Sequence, residues 1–178
     1  MAYDKRLMEM WCALPILEGD TLPRRNKIKI AFISSMLPNC WQLDWLEDDS
    51  MIIDFEGDEV AAMWGGKQTG EDYLSNFSAH TRKTLLDFYH SLFQTRCGAS
   101  IVRSISKKGG TRFTLTTNFV PMIDEETGRR IIFGNSEMQG DFKGSTGRLD
   151  FDNAKLISAK YINLGYGIPG HPPFESIS

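Results

Sequence analysis

The side chains able to do chemistry in this 178-residue chain are few and scattered. Its histidines are His80, His90 and His171. If His80 and His90 share a helix, their spacing sets them roughly 15 Å apart along its axis, too far to hold one metal ion. The cysteines, Cys12, Cys40 and Cys97, are odd in number and include no Cys-x-x-Cys pair, which argues against a disulfide framework and a zinc knuckle alike. No Gly-x-Ser-x-Gly elbow, His-Glu-x-x-His pair or Walker loop occurs. Gly65-Gly66-Lys67-Gln68-Thr69-Gly70 has the composition of a phosphate loop, but it lacks a parallel strand before it and a long helix after it, so it reads as a turn. No catalytic residue and no metal ligand is expected, and the chain is read as a binding protein and not an enzyme.

Arg103 stands out for its setting. In Ala99, Ile101, Arg103 and Ile105 the two-residue alternation puts a guanidinium on the apolar face of a strand, with Ser100, Ser104 and Ser106 on the other. Arginine is rarely buried without a carboxylate or phosphate to pair with. One reading is that Arg103 and Thr117 anchor an acidic or polar ligand amid Phe55, Trp64, Phe77, Tyr89, Phe113, Leu115, Phe119 and Phe133. The other is that Arg103 reaches the sheet edge or meets a structural carboxylate, and the aromatic set fills the core. A rival function, a small lyase-like enzyme, would need Asp54, His80 and Arg103 to converge in one cleft with perturbed pKa values.

The elements that must position these residues follow from periodicity. Tyr3, Leu7, Met10, Trp11 and Leu14 fall on one face of a helix that ends before Pro15. A second short helix is expected from Pro23 through Ile28, Phe32 and Met36 to near Pro38. Trp41, Leu43 and Trp45 then alternate, and after Glu47-Asp48-Asp49-Ser50 the segment Met51 to Glu56 reads as the return strand of a hairpin. Short helical pieces are expected around Val60 to Trp64 and near Tyr73. Ser78 reads as the N-cap of a longer helix ending at Gly98, with Leu85, Tyr89, Leu92 and Phe93 on its apolar side.

Three β segments follow, Ala99 to Ser106, Arg112 to Met122 and Arg130 to Met138, joined by glycine-containing connectors that suit hairpin turns. Phe113, Leu115, Thr117 and Phe119 share one face of the middle segment. The last is apolar on both faces at Ile131, Ile132 and Phe133, as a central strand would be. Ala154 to Tyr166 fits a strand and a helix equally.

The order of hairpin, short helices, one longer helix and three antiparallel strands is that of a PAS domain. Leu22 to Met138 resembles the single-domain bacterial PAS family known as PAS_5, on Leu22-Pro23-Arg24-Arg25, Leu37-Pro38, the strand Met51 to Glu56, Gly66-x-x-x-Gly70 and Phe119-Val120-Pro121-Met122. Lys27 and Thr117 stand near places where that family tends to carry carboxylates. The resemblance implies an α+β fold: a five-stranded antiparallel sheet with helices over one face, preceded by an N-terminal helix, and a possible small-molecule pocket between the layers. It divides the chain into an N-terminal helical cap (1–21), a PAS-like domain (22–138) and a C-terminal extension (139–178), too short for an output domain of its own.

The function implied is sensory or regulatory, in bacterial signal transduction, through protein contacts. The expected partners are a second copy, held by Tyr3, Leu7, Met10, Trp11 and Leu14, and a signalling protein such as a histidine kinase. A fold-back of that helix on its own sheet is the competing arrangement. A third reading is a structural adaptor with a filled core. The resemblance implies no flavin, since an Asn-Cys-Arg-Phe-like motif is missing; axial haem ligation by His80 or His90 competes with their reading as surface or packing residues. No cofactor is expected, although an unidentified small molecule is possible. A formal charge of −3 with interspersed signs argues against nucleic acid as a partner. The absence of an apolar stretch of about 18 residues argues against membrane insertion and for a cytoplasmic location.

Overall fold

The computed structural model describes residues 3–107, 110–140 and 147–174, and the side chains from residue 5 onward. Its four α-helices are α1 (Tyr3–Ala13), α2 (Ile30–Ile33), α3 (Asp58–Trp64) and α4 (Ala79–Thr95). The strands are β1 (Cys40–Trp45), β2 (Met51–Glu56), β3 (Gly98–Ser106), β4 (Arg112–Ile123), β5 (Arg130–Gln139) and β6 (Lys155–Ile162). They form one open antiparallel sheet in the order β2-β1-β5-β4-β3-β6.

The expected five strands are thus six. β5 has β1 on one side and β4 on the other, in keeping with its two apolar faces. The sixth strand comes from the segment whose pattern fitted helix and strand alike. What decides it is the outer edge of β3, whose backbone groups need partners that only a strand can supply. A register shift between Val102 and Arg103 leaves Ile157 out of the pairing and 57% exposed, while Ala159 and Tyr161 pack on the core.

Alternation along the strands divides the interior in two. Phe113, Leu115 and Phe119 face α3, α4 and the 3-10 turn Tyr73–Asn76, in a core with Trp41, Phe88 and Tyr89. Val120, Met122, Ile131 and Phe133 point the other way, into a second core built with α1. Helices therefore cover part of the second face as well. α4 starts where Ser78 caps it, its hydroxyl accepting from Thr81 N at 3.3 Å. It stops at Arg96, which takes a left-handed conformation before Gly98 opens β3.

The stripe expected to face a second copy faces the chain's own sheet. Leu7, Met10 and Trp11 are buried and Leu14 is partly buried, all in the second core; the side chain of Tyr3 lies outside the described residues. The cause is visible at β4. β3 stops pairing at Phe119, so the far end of β4 is unpaired on that side, and Pro121, which has no N–H, sits there without cost. Trp11 Nε1 donates to the freed Pro121 carbonyl at 2.6 Å, and Ile123 N donates to Pro23 O at 3.1 Å. That second bond also explains why the expected helix from Pro23 to Pro38 breaks up. Held by a bridge between Arg24 and Ile123, the segment runs through extended Ile28 and Lys29 and yields only the turns Arg25–Lys27 and Leu37–Asn39 around the single turn of α2.

Burial also sets the alkaline limit of stability. Cys40 lies in the second core, and desolvation pushes its thiol up from an ordinary value of 9.0 to about 12. The unfolded chain loses this proton from about pH 9, whereas the folded chain keeps it, so the contribution to stability is complete below pH 9 and falls as pH rises toward 12. Tyr73 and Tyr89 are raised in the same direction by burial. We expect a loss of about 2 kcal/mol between pH 8 and 10.5 from Cys40 alone, measured by urea unfolding. Cys40→Ala should flatten that slope; an unchanged slope would assign the lability elsewhere.

Candidate functional site

The site lies between the sheet and the layer made by α3 and Tyr73–Asn76. Its floor is formed by the inward side chains of the strands: Trp41 and Leu43 of β1, Ile53 and Glu56 of β2, Leu115 and Thr117 of β4, Ser136 of β5 and Arg103 of β3. Val60, Trp64, Tyr73 and Phe151 close it. The space left for the centres of water molecules is about 20 Å³, room for about one water, so this part of the core is nearly filled.

The register places Arg103 opposite Leu115 and on the face of Ile101 and Ile105. It is partly buried, and among the described residues it makes no ion pair. The groups it influences are the buried hydroxyls of Tyr73 and Tyr89. Burial raises both, Tyr73 adds to the effect at Tyr89, and the guanidinium opposes it at each. The Tyr89 hydroxyl and Trp64 Nε1 complete no hydrogen bond of normal geometry among the described residues, although both are buried. Around them the rings interlock: Trp64 meets Tyr73 at 5.6 Å and Phe151 at 5.5 Å, and Phe77 meets Tyr73 at 5.1 Å and Phe151 at 4.9 Å.

Trp64, Arg103, Leu115 and Thr117 of the candidate pocket line this cavity. Tyr89, Phe113 and Phe119 belong to the surrounding core, and Phe77 lines an adjoining groove. Two candidates are elsewhere. Phe133 faces the second core, because Ile132 takes the inward position on β5. Phe55 is 37% exposed. A bulge between Gln42 and Leu43 shifts the pairing so that Trp41 meets Glu56 and Gln42 meets Phe55; one extra residue in β2 exchanges the faces of everything after it. Glu56 is thereby turned inward, where its carboxylate accepts from Gln68 N, from Thr69 N at 2.8 Å and from Thr69 Oγ1 at 3.0 Å. The glycine-rich turn that resembles a phosphate loop thus cradles a carboxylate of its own chain.

Of the residues that line the cavity, sequence reasoning missed Trp41, Leu43, Ile53, Glu56, Val60, Tyr73, Ser136 and Phe151. Only the bulge could have signalled Glu56, and Phe151 comes from a polar stretch with no periodicity. The enzyme-like trio does not assemble: Asp54 accepts from Gln42 Nε2 at 3.0 Å, His80 is exposed in the first turn of α4, and neither lines the cavity with Arg103. His90 packs against Trp45 with tilted rings, centroids 4.5 Å apart, beside Arg130. Among the described residues no three His, Cys, Asp or Glu side chains are placed to hold a metal ion, and no helix is long and apolar enough to cross a membrane.

A partly buried charge without a partner should cost stability. Arg103→Met is therefore expected to leave the free energy of unfolding unchanged or raise it, by roughly 1 kcal/mol at most, as read from thermal melts. A clear loss would mean that Arg103 serves the fold.

Fold and site together define an α+β domain: an open antiparallel sheet, α3 and α4 over one face and α1 on part of the other, and a small cavity under α3 that Arg103 lines. The chain matches no family model and no curated protein.

Proposed function

We propose that the protein is a PAS-type sensory or regulatory module of bacterial signal transduction, which responds to a small molecule at the Arg103 site and acts through association with a protein partner such as a histidine kinase. The observation that carries this reading is that Arg103 lines the cavity without an ion pair among the described residues and that the buried Trp64 Nε1 beside it has no hydrogen-bond partner among them. Buried polar groups are ordinarily paired, and sites that violate this rule are often reserved for a ligand. The open antiparallel sheet of an α+β fold is compatible with the form that the PAS resemblance implies, although it has one strand more and helices on part of its second face as well. A homodimer within this reading would use surfaces other than the buried stripe of α1.

A second reading, a regulatory adaptor with a filled core, is favoured by the small size of the cavity. Native mass spectrometry of gently purified protein separates the two. A retained small molecule, lost from Arg103→Met, is the expected result. A bare polypeptide mass from protein taken directly from its host would remove the small-molecule reading and leave the adaptor.

A further inference from the structure

We infer that the protein binds a small carboxylate with an apolar body in the surface groove beside α4, with the carboxylate held by Arg103. This deepens the small-molecule reading above and rests on it. Arg103 is shared by two spaces: the nearly filled cavity on one side, and on the other a groove of about 570 Å³ between the start of α4, β6 and the segment around Phe151. That volume lies within the ordinary range for small-molecule sites.

The groove has an apolar wall, and its lining includes two cationic residues and the hydroxyl-bearing Ser78, Thr81 and Thr84. Phe77, Leu85, Phe151 and Phe174 supply flat, apolar surface for a ring or short chain. Arg103 and Lys155 supply positive charge, and neither makes an ion pair among the described residues. Among the described residues Asp152 is the one carboxylate lining the groove, so these three charges sum to +1. That balance suits a monoanion better than phosphate, whose second charge would have to be desolvated beside aromatic rings. A planar guanidinium matches a carboxylate in two parallel hydrogen bonds.

The probe is 3-phenylpropionate, with 3-phenylpropanamide and inorganic phosphate as controls, followed by calorimetry on the full chain. The expected result is saturable binding of the acid at least tenfold tighter than of the amide, with no saturable binding of phosphate. Arg103→Gln should weaken the acid at least tenfold without changing the amide, Arg103→Lys should recover part of the loss, and thermal melts confirm that both variants fold. Equal binding of acid and amide, undiminished acid binding by Arg103→Gln, or no saturable binding by the wild type would overturn the inference. The wider reading fails separately. If the acid binds as expected but changes neither oligomeric mass nor partner association, the site stands and the sensory role falls; if native mass spectrometry finds a neutral or cationic molecule while the acid does not bind, the reverse holds.

Discussion

Trp11→Ala should destabilise the protein by about 3–5 kcal/mol, the range for deleting a large buried aromatic side chain, and should leave its mass in solution unchanged. Trp11 is 2% exposed and lies in the second core with Leu7, Met10, Val120 and Met122. Its ring meets Tyr166 edge-on at 6.2 Å, and its indole N–H closes the Pro121 carbonyl at the unpaired end of β4. The substitution removes the packing and strands that carbonyl. Urea unfolding with sedimentation checks both parts: a variant as stable as the wild type but lighter in solution would restore α1 as an interface between copies.

The second large effect is expected at Gly134, opposite Trp41 in the middle of the sheet. A Cβ at this position would overlap the Trp41 ring and come within 2.6 Å of the Asn118 carbonyl oxygen on β4. Neither neighbour yields easily. Trp41 is held by a 3.0 Å hydrogen bond from its Nε1 to Ser136 Oγ and by edge contact with Phe119 at 5.4 Å, and the Asn118 carbonyl is part of the strand itself. Gly134→Ala should cost about 3 kcal/mol, the upper part of the range for overpacking, seen as a lower urea midpoint. Adding Trp41→Phe should recover only part of this, because the backbone overlap remains. A variant within 1 kcal/mol of the wild type would mean that β1 and β5 separate more readily than this packing allows.

Much of the architecture was legible in residue order because the signals involved are local. The alternation in Phe113, Leu115, Thr117 and Phe119 names the face that the helices cover, and Ser78 marks the start of α4. The same alternation put Arg103 on the apolar face of β3, where its pairing with Leu115 holds it. Errors arose where one residue changed a face or where partners distant in sequence competed with local preference. The bulge beside Asp54 sent Phe55 outward and Glu56 inward. The tie between Pro23 and Ile123 undid a helix that the spacing of Ile28, Phe32 and Met36 had suggested.

By itself, then, the sequence determined the kinds of element and the facing of most strand residues, since side-chain direction repeats every two residues along a strand and every 3.6 along a helix, whatever the rest of the chain does. Only the tertiary structure decided that α1 lies on its own sheet, that Lys155–Ile162 is a strand and that Arg103 makes no ion pair among the described residues. Each depends on which backbone edge or charge from a distant part of the chain arrives alongside: an unpaired strand edge takes whatever segment can satisfy its hydrogen bonds, and a buried charge is paired or unpaired only according to the neighbours the fold brings to it.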